Sequence, residues 1–188
     1  MRIDYIEESF TKLESDSTLQ NLIAQANARY ILYNTGENED NFPRYTINDG
    51  QLNILAFKYL NIGCNYFDNK IFTKASYSIE KGSSILEHVH GSPNVQTKNK
   101  NLYGLISALG YYVSFQYSKS FILIKKLQSD TVISSLISHF LSRDFNQLLD
   151  EINQIIIDSE YTDEYLSANF NEKDNTIKIY EIIIAKAL

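Results

Sequence analysis

Apolar residues recur along this chain at intervals of three and four positions from its first turn onward. Ile3, Ile6, Phe10 and Leu13 share one helix face, and Leu19, Leu22, Ile23, Ala26, Tyr30 and Tyr33 continue the period after the polar "SDST". Ser17 and Gln20 stand there at capping-box spacing, so two N-terminal helices are expected. Residues 34–50 turn polar around Gly36, Pro43 and Gly50 and read as a first long loop. Further helices are expected at roughly 51–67, 71–88, 102–115, 117–128, 131–142, 144–158 and 176–188, with "HGSPNVQTKNKN" as the second long loop. No strand-like alternation of useful length interrupts them. The fold class is therefore all-α, with about nine helices in one domain over 1–188. Within it, 1–50 holds the N-terminal helices and loop, 51–158 three helical hairpins, and 159–188 an acidic link and a terminal helix.

One glycine breaks the local logic. Gly63 lies inside an apolar helical run, where it costs about 1 kcal/mol relative to alanine, so something must approach closely there. Gly63, Tyr66, Phe72, Ala75, Ile79 and Gly82 are separated by three, six, three, four and three residues, with Asp68, Asn69 and Lys70 at the turn. That spacing predicts an antiparallel hairpin whose small residues face each other while aromatics one turn away fill the flanks. Ala108, Tyr111, Tyr117, Ser120, Ile124 and Leu127 repeat the spacing, and Leu136, His139, Phe145, Leu148, Ile152 and Ile155 repeat it with larger residues.

On these positions the chain resembles the tetratricopeptide-type helical repeat. Its units carry a small residue and an aromatic on the first helix and a small residue with an apolar partner on the second. The three units are offset by 45 and 28 residues instead of the regular period of about 34. The resemblance implies an irregular array of helical hairpins. The segments "NILAFKYLNIGCNYFDNKIFTKASYSIEKGSSILE" and "LYGLISALGYYVSFQYSKSFILIKK" also resemble the helical region ahead of the motor in certain large bacterial DEAD/DEAH-box helicases, some of them linked to phage defence. This likeness implies the non-motor part of such a protein. The chain holds no GxxxxGK[ST] phosphate loop, no Asp-Glu pair followed by Ala-Asp or Ala-His, and no paired motif arginines. The ending "NTIKIYEIIIAKAL" puts Ile177, Tyr180, Ile183, Ile184 and Ala187 on one broad face without a glycine cap, so either the natural protein continues past Leu188, which is the expectation, or the last helix docks onto the array or a second copy.

Composition narrows the function. With 188 residues, 44% of them hydrophobic, the chain is long enough for a single core. A net charge of −6 argues against a surface that coats nucleic acid or an anionic membrane. The single Cys64 has no disulfide partner and reads as a small core residue in a reducing, cytoplasmic setting. The N-terminus lacks the form of a secretory signal, and no apolar run approaches the roughly 18 residues of a membrane span.

Candidate chemistry is sparse. Glu87, His88 and His90 form "EHVH", but histidines two apart diverge on a helix, unlike the i, i+4 pair of a helical zinc motif, so they read as helix-end histidines beside the C-terminal dipole. His139, at an aromatic position of the third unit, reads as a half-buried packing residue. No cofactor, metal or catalytic constellation is expected. Charge is segregated, however. No Asp or Glu lies between His88 and Ser129, where Lys98, Lys100, Lys119, Lys125 and Lys126 fall, whereas eleven acidic residues face four basic ones from Asp130 onward. Two readings from different classes follow. One is a non-catalytic helical scaffold that contacts a protein partner or the remaining domains of a longer chain. The other is a nucleic-acid-contacting accessory domain in which the 98–126 lysines hold a single strand while Tyr103, Tyr112, Phe115 and Tyr117 stack on it.

Overall fold

The computed structural model describes residues 2–35, 49–91, 97–128, 134–144, 146–148 and 150–151. They form seven helices: α1 (Ile3–Ser15), α2 (Ser17–Thr35), α3 (Asp49–Asp68), α4 (Phe72–His90), α5 (Thr97–Val113), α6 (Tyr117–Leu127) and α7 (Ser134–Ser142), with helical residues again at 146–148 and 150–151. The described residues contain no strand, and the fold is all-α. The expected terminal helix at 176–188, the acidic link, and Phe145, Ile152 and Ile155 of the third unit lie outside the described residues.

Two boundaries differ from expectation for local reasons. Between α1 and α2 the cap is Asp16, not a Ser17–Gln20 box: its Oδ1 accepts the backbone N–H of Thr18 at 3.0 Å and of Leu19 at 3.1 Å. Gln20 reaches instead to the Leu13 carbonyl at 2.7 Å and the Tyr59 hydroxyl at 3.0 Å. Helix α5 starts at Thr97, five residues before the expected position 102. Its first turn, "TKNK", is entirely polar, so apolar periodicity has nothing to register there.

Helices α3 to α6 pack each on the next, running up and down. Contact pairs give the direction: Gly63 meets Ala75 and Ile79 whereas Gly82 meets Ala56 and Leu60, so α3 and α4 are antiparallel. Likewise His90 lies beside Lys100, and Ser76 beside Ser114, across α4 and α5. Ser120 lies beside Ala108 and Leu127 beside Gly104 across α5 and α6. Helices α1 and α2 lie against α3 and α4.

The small residues set how close these helices come. A Cβ on Gly63 would stand 2.5 Å from Ile79 Cγ1, 2.9 Å from the Ile79 backbone nitrogen and 3.1 Å from the Ala75 carbonyl oxygen. One on Gly82 would stand 2.8 Å from the Ala56 carbonyl oxygen, and one on Gly110 would collide with the Ser83 hydroxyl. The middle helix α4 is thus approached at near backbone contact from both sides.

Three turns share one construction. In each, a non-glycine residue takes the left-handed conformation: Lys70 at φ 62°, Phe115 at φ 65° and Arg143 at φ 61°. In each, two backbone bonds close the preceding helix in a Schellman motif, for instance Lys70 N–H to the Phe67 carbonyl and Ile71 N–H to the Tyr66 carbonyl, both at 2.9 Å. Gln116 N–H donates equivalently to Tyr111 at 2.8 Å, and Asp144 N–H to His139 at 2.9 Å. The acceptors Tyr66, Tyr111 and His139 are the second positions of the three spaced units. The aromatics after the first two turns do not fill hairpin flanks, however. Phe72 is 56% exposed and meets the edge of Phe67 across the turn, and Tyr117 is 46% exposed against Tyr112.

The glycine at 63 should be irreplaceable even by the best helix former. Gly63→Ala gains helix propensity yet must push α4 away, so urea denaturation should show a net loss of about 1–3 kcal/mol. An unchanged or raised unfolding midpoint would contradict the close approach.

Candidate interaction surfaces

Fourteen tyrosines in a chain of this length pose a problem of burial. Tyr59, Tyr66, Tyr103 and Tyr111 are almost wholly inside, and a buried phenol left without a partner costs about 1–3 kcal/mol. Two carboxylates meet much of this demand. Glu14 on α1 accepts the hydroxyl of Tyr59 at 2.6 Å and of Tyr77 at 3.1 Å, and the ammonium of Lys81 at 2.7 Å. Lys81 also donates to Gln20 at 3.0 Å and lies 4.9 Å from the Tyr59 ring centroid. Burial alone would raise the Glu14 carboxyl, but hydrogen bonds from Lys81 and Tyr59 outweigh it and hold its pKa below the usual value. Burial and the bond to Glu14 push Tyr59 up to about 12.

Glu87 on α4 makes the second junction. One oxygen accepts the Tyr30 hydroxyl from α2 at 2.6 Å, the other the Tyr111 hydroxyl from α5 at 2.8 Å. Burial and this carboxylate raise both phenols well above their ordinary range. Beside it, His88 is 8% exposed and stacks at 4.7 Å on the Tyr30 ring. Burial pushes its pKa down to about 4, so the expected helix-end histidine is a neutral, packed one. His90 is also lowered by burial, and its Nδ1–H donates to the Lys100 carbonyl at 2.6 Å. Among the described residues no three His, Cys, Asp or Glu side chains converge as metal ligands. His139 is partly buried and faces Glu151 at 3.5 Å, while Cys64 is buried.

The five lysines do not form one groove. Lys98 belongs to the first turn of α5, and its side chain lies outside the described residues. Lys100 bonds His90 through its carbonyl and Lys126 lies over Tyr30, so both stand at the end of the array where α2 and α4 finish and α5 begins. There Lys126 lies 6.0 Å from the Tyr30 ring, and Lys125, its neighbour, is exposed. Lys119 is at the other end of α6, paired with Glu80 at 2.6 Å. The aromatics meant to stack are separated from the basic end as well. Tyr103 is a core residue against Phe57, Tyr112 packs on Tyr117 and Phe140, and the exposed Phe115 and Tyr117 sit near Lys119.

The packing positions fall as follows. Gly63, Tyr66, Ala75, Ala108, Tyr111 and Ser120 are buried, and the Ser120 hydroxyl donates to the Ala108 carbonyl at 2.7 Å. Phe72 and Tyr117 lie outside. The junction residues Glu14, Lys81 and Tyr30 carry no motif. Their only sequence mark is a polar or phenolic residue bordering an apolar helix face, which many surface positions share.

Over all 188 residues the chain is 42% identical to the Hachiman protein HamB of Bacillus cereus, and it spans 16% of that protein's length. It is thus similar from end to end to one portion of a much longer protein. No family model and no solved structure matches it.

Burial of neutral His88 makes stability depend on pH. Its folded pKa of about 4 lies below the unfolded value near 6.5, so the unfolded chain binds more protons between them, and stability falls as pH drops through that window. From pH 8 to pH 5 the parent should lose on the order of 2 kcal/mol through this group. His88→Gln should lose correspondingly less in paired denaturant titrations; identical pH slopes would contradict the assignment.

Proposed function

We propose that this chain works as a non-catalytic helical module that contacts other parts of a longer phage-defence protein, a protein expected from the helicase resemblance to carry its motor elsewhere. The observation that carries this reading is the match to HamB over the whole chain but only 16% of that protein, which supports a role for the chain as one portion of a longer protein. The interior agrees with it. The buried polar groups of the two junctions bond one another, and the described residues offer neither a cluster of three metal-ligating side chains nor a phosphate loop. What is left for function is surface.

The test is a chimera in which this chain replaces the matching portion of HamB, scored by plaque formation on bacteria that carry it. Deleting the portion should abolish protection, and the chimera should restore it. Full protection without the portion would overturn the reading.

A second reading is favoured by the basic end formed by Lys100, Lys125 and Lys126, where a single nucleic-acid strand could be guided. It predicts that affinity for a short single-stranded oligonucleotide falls with salt and is lost when Lys98, Lys100, Lys119, Lys125 and Lys126 become Gln. With net charge −6 and Lys119 already paired, the expected outcome is little or no binding even at low salt.

A further inference from the structure

The side of α3 turned away from α4 is only partly covered by the N-terminal helices. Two hollows of about 420 Å³ each lie along it, one between α1 and α3 and one between α2 and α3. They meet at Leu19 and Lys58, which line both, so together they make one groove. It follows α3 from Gln51 to Asn65, a run of about 21 Å, or four helical turns.

Two properties of this groove specify an occupant. Its floor is apolar: Ile54, Leu19 and Leu22 are half-buried along it, above Leu13, Leu55 and Ile62, which belong to the core. Its charge leans positive, two lysines against one carboxylate. Lys12 and Lys58 are exposed along it, and no ion pair holds either among the described residues. The carboxylate that shares the lining, Asp16, is engaged in capping α2 through the Thr18 and Leu19 amides. We infer that the groove receives an acidic amphipathic helix of about four turns, its apolar stripe on the α3 floor and its flanking carboxylates on Lys12 and Lys58.

Competing occupants fit less well. An added strand needs a row of free backbone donors and acceptors, which walls made of helices do not offer. A nucleic-acid backbone would set its phosphates over leucine and isoleucine with two lysines to neutralise them. This inference rests on the scaffold reading and names the surface and partner chemistry that the reading leaves open.

The 188-residue chain is titrated by fluorescence anisotropy against a labelled synthetic 15-residue peptide with Leu at positions i, i+3, i+4 and i+7 and Glu at the flanking positions. The control peptide keeps the Leu stripe and carries Lys in place of Glu. The Glu peptide should bind saturably and at least tenfold more tightly than the Lys peptide. Lys12→Glu/Lys58→Glu should reverse the preference. If that variant misfolds by circular dichroism, Lys12→Gln/Lys58→Gln should still weaken the Glu peptide at least tenfold. No binding, equal binding of both peptides, or unchanged affinity in the lysine variants would overturn the groove assignment. The chimera result reads the parent proposal separately: protection that requires this portion, combined with failed peptide binding, removes the groove and leaves the scaffold.

Discussion

The approach of α3 and α5 to α4 at near backbone contact is the constraint on which the rest of the molecule depends. Gly63 and Gly82 set it on one side of α4 and Gly110 on the other, and in each case a single methyl group would strike a neighbouring backbone or side chain. Interfaces this close leave little room for long side chains, so small hydroxyl residues line them and return their polarity to the backbone. Ser83 donates to the Ile79 carbonyl at 2.8 Å, Ser107 to the Ser83 carbonyl at 2.6 Å and Ser114 to the Gly110 carbonyl at 2.9 Å. Each bond removes a buried donor that would otherwise weaken the contact.

Large residues are displaced to the margins of this stack, and there they become fasteners. Phenols reach past the helix seams with their rings inside and their hydroxyls at the border, where Glu14 and Glu87 collect them. Glu14 ties α1 to both α3 and α4, and Glu87 ties α2 and α5 to α4. The Lys74–Glu7 pair at 2.6 Å adds a further link from α4 to α1, with the lysine between the Phe10 and Tyr66 rings. The N-terminal helices are held by Ile6, Leu13, Ile23 and Ala26 in the core and by charge-assisted bonds at its edge, which are directional and fix their placement.

That placement leaves a strip of α3 around Lys58 and Asn61 uncovered, and that strip is where an interaction module has something to offer. The chain is similar along its full length to 16% of a longer protein, and the proposed reading asks for surfaces that meet the rest of such a protein. Its outer surface has three distinct characters: a basic end at the α4–α5 junction, exposed aromatics at Phe115, Tyr117 and Phe121, and the apolar groove with its two lysines. The separation of the basic end from the exposed aromatics weakens the strand-guiding reading, since stacking and charge would have to act on the same few nucleotides.

Helical period, the hairpin turns and the need for a small residue at 63 were legible in the order of amino acids, because each is a property of one or two turns of chain. The spacing of Tyr66, Tyr111 and His139 even marks the three Schellman turns, although nothing in Lys70, Phe115 or Arg143 announces a left-handed residue. The environment of a side chain was not legible in the same way. Phe72 and Tyr117 carry the residue type of a core position and lie outside, while His88 reads as a helix-end histidine and is buried and neutral against Tyr30. Glu14, Glu87 and Lys81 resemble ordinary surface charges until α1 and α2 fold across α3 and α4. Local pattern records what a residue can do within its own helix; burial, partner and protonation depend on helices tens of residues away, and their energies exist only once those helices have met.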